Sequence, residues 1–305
     1  MSDQDISPVS LKHKIALVTG VTGFIGAHLV KRLVNEGWKV HAIIRKGSKL
    51  PSLLANEELN LHLYDGSTNG LVQCVSEIKP DVVFHLASLF LSQHEVKDVE
   101  PLVQSNLLFG NQLLEAMRVN DVRNLINTGT SWQHYENNDY NPVCLYAATK
   151  QAFEAIIEFY IQACNFKVIT LKLSDTYGPN DHRPKLFSLL YKASLTNTPL
   201  DMSIGEQLID LVYIDDVINA YLIAVNRLLN NEVVGHEIYR ISSGNPITLK
   251  NLVQLYITVT GRNIQLNWGA RPYRLREMMS IWDREKKMTG WQPSISLKDG
   301  INRMD

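Results

Sequence analysis

The sequence lacks the features that mark several large classes of protein. Its 305 residues include only three cysteines, Cys74, Cys144 and Cys164, with no CxxC spacing and no histidine cluster beside them. Disulfides and bound metal are therefore not expected, and a reducing cytoplasm is the predicted compartment. We interpret the three cysteines as small, partly buried apolar residues.

Long runs of one residue type are also missing. No apolar stretch approaches the roughly 18–20 residues of a membrane span, and the polar start, MSDQDISPVSLKHK, is unlike a secretory signal. The net charge is -1 with neutral histidines, and no basic run of the kind that binds nucleic acid is present. We expect neither a membrane nor a nucleic-acid partner, and we predict a loose N-terminal tail over residues 1–12.

Short apolar segments alternate with helical patterns through the first 175 residues. Strands are predicted at 14–20, 38–45, 59–66, 81–88, 124–130 and 167–178, and helices at 24–37, 69–78, 99–119 and 146–164. Strands that are apolar throughout and joined by helices are typical of a parallel sheet covered on both faces. The predicted fold class is therefore α/β, a doubly wound parallel (Rossmann) sheet over residues 13–178. A smaller, mainly substrate-binding C-terminal lobe is predicted over 179–305, with segments near 209–243 returning to the sheet.

The segment VTGVTGFIG places Gly20, Gly23 and Gly26 between a predicted strand and a predicted helix. Glycines at these positions allow a tight turn and let backbone N–H groups approach a pyrophosphate at the helix N-terminus. We predict a dinucleotide-binding site at this turn, with a purely structural turn as the alternative.

The end of the second predicted strand, AIIRKGSK, carries cations and no acid. An acidic residue at this place accepts hydrogen bonds from a free ribose 2′-hydroxyl, whereas basic residues suit a 2′-phosphate. Arg45 and Lys46 therefore predict NADP(H), with solvated loop charges as the alternative. Asp65, which closes the third strand, is a candidate for binding the adenine amino group or a plain turn aspartate.

The segment LYAATK places Tyr146 and Lys150 on one face of a predicted helix. A nearby cation favours the phenolate of a phenol whose free pKa is about 10, which suits Tyr146 for proton exchange. A strand that ends in hydroxyls at Thr130 and Ser131 precedes this pair. Ser131 is a candidate for hydrogen-bonding a substrate oxygen while Tyr146 transfers a proton.

In this order, the motifs resemble those of the extended short-chain dehydrogenase/reductase family, the NAD-dependent epimerase/dehydratase group. The resemblance covers roughly residues 14–302 and rests on TGVTGFIG, DVVFHLAS, SNLLFGNQLLEA, TGTSWQHY, YAATK, LKLSDTYGPND, DLVYIDDVINAYL and GWQPSISLKDGI. Within the family, NTGTSWQHY, NPVCLYAATKQAFE and GEQLIDLVYIDDV most resemble the CDP-3,6-dideoxyhexose synthases, the abequose and paratose type.

The resemblance implies that Ser131, Tyr146 and Lys150 are catalytic, with Tyr146 as the proton donor. Together with the positions argued above, it implies cofactor contacts for Gly20, Thr22, Gly23, Phe24, Ile25, Gly26, Arg45, Lys46, Asp65, Gly66, Leu86, Ala87, Ser88, Asn106, Thr130, Tyr146, Lys150 and Tyr177. Substrate contacts are expected from Ser131, Trp132, Asp175, Arg274 and Arg276. The resemblance also implies a homodimer formed through the helices at 99–119 and 146–164.

Two departures from the family pattern affect the expected substrate contacts. Asp175 stands where relatives often have asparagine, and Ile209 stands where many have an arginine that contacts the sugar nucleotide. Pyrophosphate binding then falls to the tail RPYRLRE, with Arg271, Arg274 and Arg276 as candidates. Ordinary surface arginines are the alternative.

The two residues after Ser131 separate the reactions of the family. Dehydratases that resemble this chain carry an Asp-Glu pair there for proton transfer, whereas this chain has Trp132 and Gln133. Dehydration is therefore disfavoured, and Trp132 is expected either to line the sugar pocket or to be a core or loop aromatic. With Arg45, the pattern predicts NADPH-dependent reduction of the C4 ketone of a nucleotide-linked, CDP-type 4-keto-3,6-dideoxyhexose for O-antigen synthesis. The alternatives are an NAD-dependent nucleotide-sugar 4-epimerase, a reductase of non-sugar ketones and a non-catalytic NADP-sensing protein.

Overall fold

A computed structural model describes residues 14–196, 198–284 and 286–304. The tail predicted over residues 1–12 lies outside these residues. The strands are β1 Ile15–Thr19, β2 Lys39–Arg45, β3 Asn60–Tyr64, β4 Val82–His85, β5 Asn124–Thr130, β6 Lys167–Leu173, β7 Asp175–Tyr177, β8 Leu200–Met202, β9 Leu208–Ile209, β10 Leu211–Tyr213, β11 His236–Ile241, β12 Ile247–Thr248 and β13 Leu266–Trp268. The α-helices are α1 Phe24–Asn35, α2 Thr68–Ile78, α3 Val99–Val103, α4 Phe109–Val119, α5 Leu145–Cys164, α6 Leu186–Thr196, α7 Ile214–Leu229, α8 Leu249–Thr260 and α9 Leu297–Asn302.

A seven-stranded parallel sheet forms the centre of the described chain, in the order β11-β6-β5-β4-β1-β2-β3. Its inner strands are buried along most of their length because helices cover both faces. Residues of α1 and α7 share one core cluster with the sheet, and residues of α2, α4 and α5 share a second cluster. The predicted doubly wound α/β fold is confirmed.

The strand order reverses at β1, which has β2 on one side and β4 on the other. The carboxyl ends of β1 and β4 therefore open a crevice, and such a crevice is where open α/β sheets bind ligands. The Thr19 hydroxyl oxygen accepts hydrogen bonds from the N–H groups of Leu86 and Ala87, both at 3.2 Å. It also lies 3.0 Å from Nδ1 of the buried His85. These contacts hold the two sides of the crevice together.

Two predicted elements differ from the structure in their continuity. The strand predicted at 167–178 divides after Leu173, because the Asp175 N–H donates to the carbonyl of Asp210 and β7 pairs with β10 outside the main sheet. The helix predicted at 99–119 is interrupted by a π-helical turn, Gln104–Leu108, between α3 and α4. Sequence periodicity does not report either change, since an extended segment or a helix with one wide turn keeps the same apolar pattern.

The part of the chain after β7 adds two elements to the main sheet and forms small ribbons outside it. α7 packs against α1, and β11 pairs with β6 along the edge of the sheet. The ribbons pair β9 with β12, β8 with β13 and β7 with β10. The buried carboxylate of Asp216 in α7 accepts hydrogen bonds from the Ser294 hydroxyl at 2.7 Å and the Ile295 N–H at 3.0 Å. The division of roles between 13–178 and 179–305 stays a prediction.

Across the described residues, the helices are too short or too polar to cross a membrane.

The free energy of unfolding is expected to decrease as the pH falls below about 6.5. The His41 ring lies 2.8 Å from His62 and is 8% exposed. Burial, followed by the nearby His62 and Lys39, lowers the pKa of His41 to about 4. Between the unfolded pKa of about 6.5 and this folded value, the unfolded chain binds more protons, so stability is lost as the pH falls through that window.

Urea unfolding at about pH 8, 6.5 and 5 measures this dependence. His41→Gln should make the slope of unfolding free energy against pH shallower, whereas His94→Gln, at an exposed histidine, should leave it unchanged. Equal slopes for the wild type and His41→Gln would contradict the assignment.

Candidate functional site

The predicted site residues meet at the crevice above β1 and β4. We call this space the inner cleft; the predicted residues that line it are Gly20, Gly23, Phe24, Ile25, Gly26, Leu86, Ser88, Thr130, Ser131, Trp132, Tyr146, Lys150 and Asp175. A second space, the outer cavity, shares Trp132 and Asp175 with it. The outer cavity is also lined by Thr176, Tyr177, Asp181, Phe187, Ile209 and Arg274.

The glycine turn brings backbone close to backbone at one end of the inner cleft. A Cβ atom at Gly26 would lie 2.1 Å from the Gly20 carbonyl oxygen, and one at Gly20 would lie 2.6 Å from the Ala87 nitrogen. α1 begins at Phe24 directly after this turn and has no acidic residue in its first turn. Its free N–H groups and positive dipole end therefore suit an anion, which fits the pyrophosphate of a dinucleotide.

Tyr146 lies in the first turn of α5, and the hydroxyls of Ser88 and Thr130 lie beside its own hydroxyl. Burial raises the pKa of Tyr146, which outweighs the lowering by these two neighbouring hydroxyls. The phenol therefore keeps its proton at neutral pH. We expected a lowered Tyr146 pKa, but burial acts in the opposite direction.

Lys150 lies one turn further along α5 and is 3% exposed. Burial lowers the pKa of Lys150 to about 8, and the charge of Glu154 acts in the opposite direction. The amine is therefore mostly an ammonium at neutral pH and loses its charge as the pH rises above 8.

The π-helical turn places Asn106 behind the inner cleft rather than on its surface. Its Oδ1 accepts hydrogen bonds from the Leu89 N–H at 2.7 Å and the Ser88 hydroxyl at 3.1 Å. Its Nδ2 donates to the Leu89 carbonyl at 3.1 Å and to the Thr149 hydroxyl at 2.9 Å. Both ends of the Asn106 side-chain amide are therefore hydrogen-bonded to other protein groups. Asn106 positions Ser88, a neighbour of Tyr146. Its predicted cofactor contact stays a prediction.

A single 3₁₀ turn, Ser131–Gln133, follows β5, and we call Thr130–Gln133 the catalytic turn. The Thr130 hydroxyl accepts from the Trp132 N–H at 3.3 Å, and Gln133 Oε1 accepts from the Thr130 N–H at 3.0 Å. Ser131 and Trp132 line the inner cleft, whereas Gln133 is 0% exposed beneath it. The turn therefore presents a hydroxyl and an indole to the cleft and keeps its amide inside the protein.

Three aromatic rings meet where the inner cleft joins the outer cavity. The Phe90 ring lies 5.0 Å from Tyr146 and 5.4 Å from Trp132, measured between ring centroids. The Arg274 guanidinium lies 4.8 Å above the Trp132 ring and pairs with Glu277. Trp132 thus lines both spaces and contacts Phe90 on one side and Arg274 on the other.

Comparison with known proteins agrees with this geometry. The NAD dependent epimerase/dehydratase family matches residues 16–241. The chain belongs to this family. A CDP-abequose synthase of Salmonella muenchen is 27% identical, over 96% of this chain and 97% of its own. A UDP-glucose 4-epimerase of Mycolicibacterium smegmatis is 26% identical, over 93% and 95%.

The fold is shared with a solved UDP-glucose 4-epimerase of Thermus thermophilus in complex with NAD, with a TM-score of 0.82. That protein is 24% identical, and the match covers 95% of this chain and 97% of the solved one. The predicted membership of the epimerase/dehydratase family and the predicted resemblance to CDP-abequose synthases are therefore confirmed.

Two cations in this family member's site were not singled out from the sequence. Arg183 lies 4.5 Å from the centroid of the Phe24 ring and pairs with Asp181 at 2.7 Å. Lys185 pairs with Asp175 at 3.2 Å. Both cations line both spaces. Their position in the segment NDHRPK, directly after the YGP motif, could have identified them as site residues from the sequence. Phe90, an apolar residue in the loop after β4, also lines both spaces and was not singled out either.

Four of the predicted cofactor contacts lie at the carboxyl ends of β2 and β3, outside both spaces. Arg45 and Lys46 are exposed at the end of β2 and form no ion pair with another described residue. The Asp65 carboxylate accepts hydrogen bonds from the Ser67 N–H at 2.8 Å and the Ser67 hydroxyl at 2.9 Å, which lower its pKa. This is the turn-aspartate alternative. The Gly66 carbonyl accepts from Gln112.

Arg276, a predicted substrate contact, and Tyr177, a predicted cofactor contact, lie outside the inner cleft, and both contacts stay predictions. Arg276 donates to Asn141 Oδ1 and lies 4.3 Å above the Tyr135 ring, so it contacts the loop after the catalytic turn instead of either space. Tyr177 is 2% exposed, and its ring packs against Phe187 and Tyr213. Tyr177 lies in β7, which pairs with β10 outside the main sheet. Its buried ring therefore forms part of the wall of the outer cavity.

No three His, Cys, Asp or Glu side chains of the described residues gather as a metal site.

Proposed function

We propose that this protein is an NADPH-dependent reductase that acts on the C4 ketone of a nucleotide-linked 4-keto-3,6-dideoxyhexose. The hexose is carried on cytidine diphosphate. The product of the proposed reaction is a CDP-3,6-dideoxyhexose for O-antigen synthesis in the cytoplasm. The catalytic turn carries the proposal, because it presents Ser131 and Trp132 to the inner cleft and buries Gln133. Water elimination needs acids at these two positions, and this turn has none. The likeness to CDP-abequose synthase supports the substrate class.

The reacting groups of the chain suit addition of a hydride and a proton to a carbonyl. A bound nicotinamide supplies the hydride. Tyr146 holds its proton at neutral pH and donates it to the carbonyl oxygen, and Ser131 hydrogen-bonds the same oxygen. Ser88 and Thr130 fix the direction of the phenol, while the Lys150 ammonium orients the nicotinamide ribose.

The carboxylates that line the two spaces support reduction over elimination. Asp175 pairs with Lys185, and Asp181 pairs with Arg183. Each carboxylate is thus engaged by a cation of the chain rather than free to exchange a proton with a substrate. Arg274, which lies above Trp132 and pairs with Glu277, lines the outer cavity, and its planar guanidinium suits the diphosphate of the substrate.

Tyr146→Phe should lower kcat for reduction of a CDP-4-keto-3,6-dideoxyhexose by about 100-fold or more, because the proton donor is lost. NADPH consumption measures the rate, and NMR of the product gives the configuration at C4. Tyr160→Phe is the matched control, since Tyr160 lies on the same helix and bonds Asn111 and Glu115 instead. Full reductase activity in Tyr146→Phe would overturn the mechanism.

Arg45→Glu should weaken NADPH binding about tenfold or more and affect NADH much less, because a charge-assisted contact to the 2′-phosphate is replaced by repulsion. Quenching of protein fluorescence during titration measures both dissociation constants. Lys39→Glu, at the opposite end of the same strand, is the control. An unchanged preference between the two cofactors in Arg45→Glu would remove the case for NADPH.

An NAD-dependent nucleotide-sugar 4-epimerase is the second candidate, and the likeness to UDP-glucose 4-epimerases favours it. An epimerase returns the hydride that it removes, so it predicts NAD that purifies with the protein and no net consumption of NADPH. The same purified protein and the same NADPH assay separate the two candidates.

We also propose a homodimer formed through α3, α4 and α5. These helices and the π-helical turn between α3 and α4 expose the apolar side chains of Val99, Val103, Leu108 and Phe159. Sedimentation at micromolar concentration should give about twice the chain mass of 34.6 kDa. Phe159→Glu should produce monomers, and Leu195→Glu, at an exposed leucine of α6, should not. A monomeric wild type would refute the dimer.

A further inference from the structure

A chain of buried polar side chains lies directly beneath the catalytic turn and takes no part in the steps described above. Its central members are Gln133, Glu154 and Lys172, which are 0%, 5% and 3% exposed. They come from the catalytic turn, from α5 and from β6. Burying an ion pair in this way is costly unless its remaining polar atoms find partners, so their arrangement calls for a specific role.

The amide of Gln133 connects the catalytic turn to α5. Its Oε1 accepts from the Thr130 N–H at 3.0 Å. Its Nε2 donates to Gln151 Oε1 at 2.7 Å and to Glu154 Oε1 at 2.9 Å. An acid at position 133 has no N–H group to donate in this way. The glutamine that replaces a dehydratase acid in the sequence is therefore the group that ties the turn to the helix carrying Tyr146 and Lys150.

Lys172 is the last member of this series of buried polar side chains and contacts the second carboxylate oxygen of Glu154. Its Nζ lies 3.3 Å from Glu154 Oε2 and 2.9 Å from His134 Nε2. Since an ammonium only donates, His134 accepts at Nε2 and donates from Nδ1 to the Asn138 carbonyl at 3.0 Å. Burial and the neighbouring Lys172 lower the pKa of His134 to about 4, in agreement with a neutral ring.

The chain fits tightly against the strand that ends in the catalytic turn. A Cβ at Gly129 would lie 2.8 Å from Lys172 Cγ and 3.1 Å from both Gln133 Oε1 and Glu154 Oε1. Gly129 and Lys172 are also register partners in the pairing of β5 with β6. Because Gly129 has no side chain, the side chains of Gln133, Glu154 and Lys172 fit in the space beside it.

Glu154 also acts on Lys150, one helical turn before it. The charge of Glu154 raises the pKa of Lys150 against the effect of burial. The other titratable groups around Lys150 are Tyr146, whose raised pKa keeps it neutral, and His85, whose pKa is lowered to about 3 and which is also neutral. Glu154 itself faces Lys172 and, from β11, His236, whose pKa burial lowers. Glu154 is therefore the carboxylate that favours the charged form of Lys150.

We propose that Glu154 is a positioning residue, which with Gln133 and Lys172 holds the catalytic turn against α5, the helix that carries Tyr146 and Lys150. This inference rests on the proposed reductase function and assigns the buried chain to that site. Glu154 touches neither substrate nor cofactor, because it lies behind Gln133 and outside the residues that line the inner cleft.

Glu154→Gln, and the charge-balanced pair Glu154→Gln with Lys172→Met, test this role. Removing one member of a buried ion pair is strongly destabilising, whereas replacing both members is often tolerated. The double variant therefore allows the activity to be measured even if Glu154→Gln does not fold. In Glu154→Gln the alkaline limb of the kcat profile should move to lower pH by about one unit, because Lys150 then loses its proton more easily. At about pH 8, kcat of this variant should fall about fivefold with KM for the sugar unchanged within about twofold. The double variant also removes the Lys172 charge, so it should lower kcat through the lost contact between the catalytic turn and α5 while moving the alkaline limb less.

Glu158→Gln is the matched control, since Glu158 lies one turn further along α5 with its side chain 50% exposed. It should leave the profile in place. A folded Glu154→Gln protein that keeps the wild-type pH profile, or a folded double variant that keeps the wild-type kcat, would overturn the proposal.

A second measurement separates this inference from the proposed function. Binding of NADPH, or of NADH if that cofactor binds better, is followed by fluorescence from about pH 6 to 9.5, across the Lys150 transition. Binding should weaken on the alkaline side, and Glu154→Gln should show this at lower pH. A wild type that binds cofactor with this profile but does not reduce the ketosugar would refute the proposed function alone. Variant and wild-type binding profiles that coincide would refute the role of Glu154.

Discussion

The contact between the β1–α1 turn and two other stretches of backbone is the constraint on which the site depends. There is no room for a side chain at Gly26 against the Gly20 carbonyl, nor at Gly20 against Ala87. Thr19 strengthens the contact by accepting hydrogen bonds from the residues after β4. The amino end of α1 is therefore held beside the ends of β1 and β4, where its free N–H groups face the crevice. Every other group of the inner cleft is placed relative to this corner of the sheet.

A layer of buried polar groups behind the cleft then positions the side chains that line it. Asn106 bonds Ser88 and the start of the following loop, and Ser88 lies beside the Tyr146 hydroxyl. Gln133 and Glu154 connect the catalytic turn to α5. Buried polar groups are stable only when their hydrogen bonds are made, and a fully bonded network favours one arrangement over others. The precision of the site thus comes from residues that do not line it.

Much of the fold follows from local patterns in the sequence, and the structure agrees with them closely. The apolar runs and helical periods locate the strands of the parallel sheet and the helices that cover it to within a few residues. The exceptions are the break between β6 and β7 and the π-helical turn at Asn106. In both places the backbone changes because of partners that lie far away in the sequence, so no local pattern reports the change.

The sequence by itself determined the glycine turn, the i, i+4 placement of Tyr146 and Lys150, and the missing acid pair after Ser131, because these depend on residue type and short spacing. Only the tertiary structure decided that Gln133 points inward to Glu154, that Arg183 and Lys185 enter the cleft, and that Arg276 does not. It also decided the direction in which the pKa values of Tyr146 and Lys150 move. Burial and Coulomb interactions depend on distances between residues remote in the chain, and folding alone sets those distances.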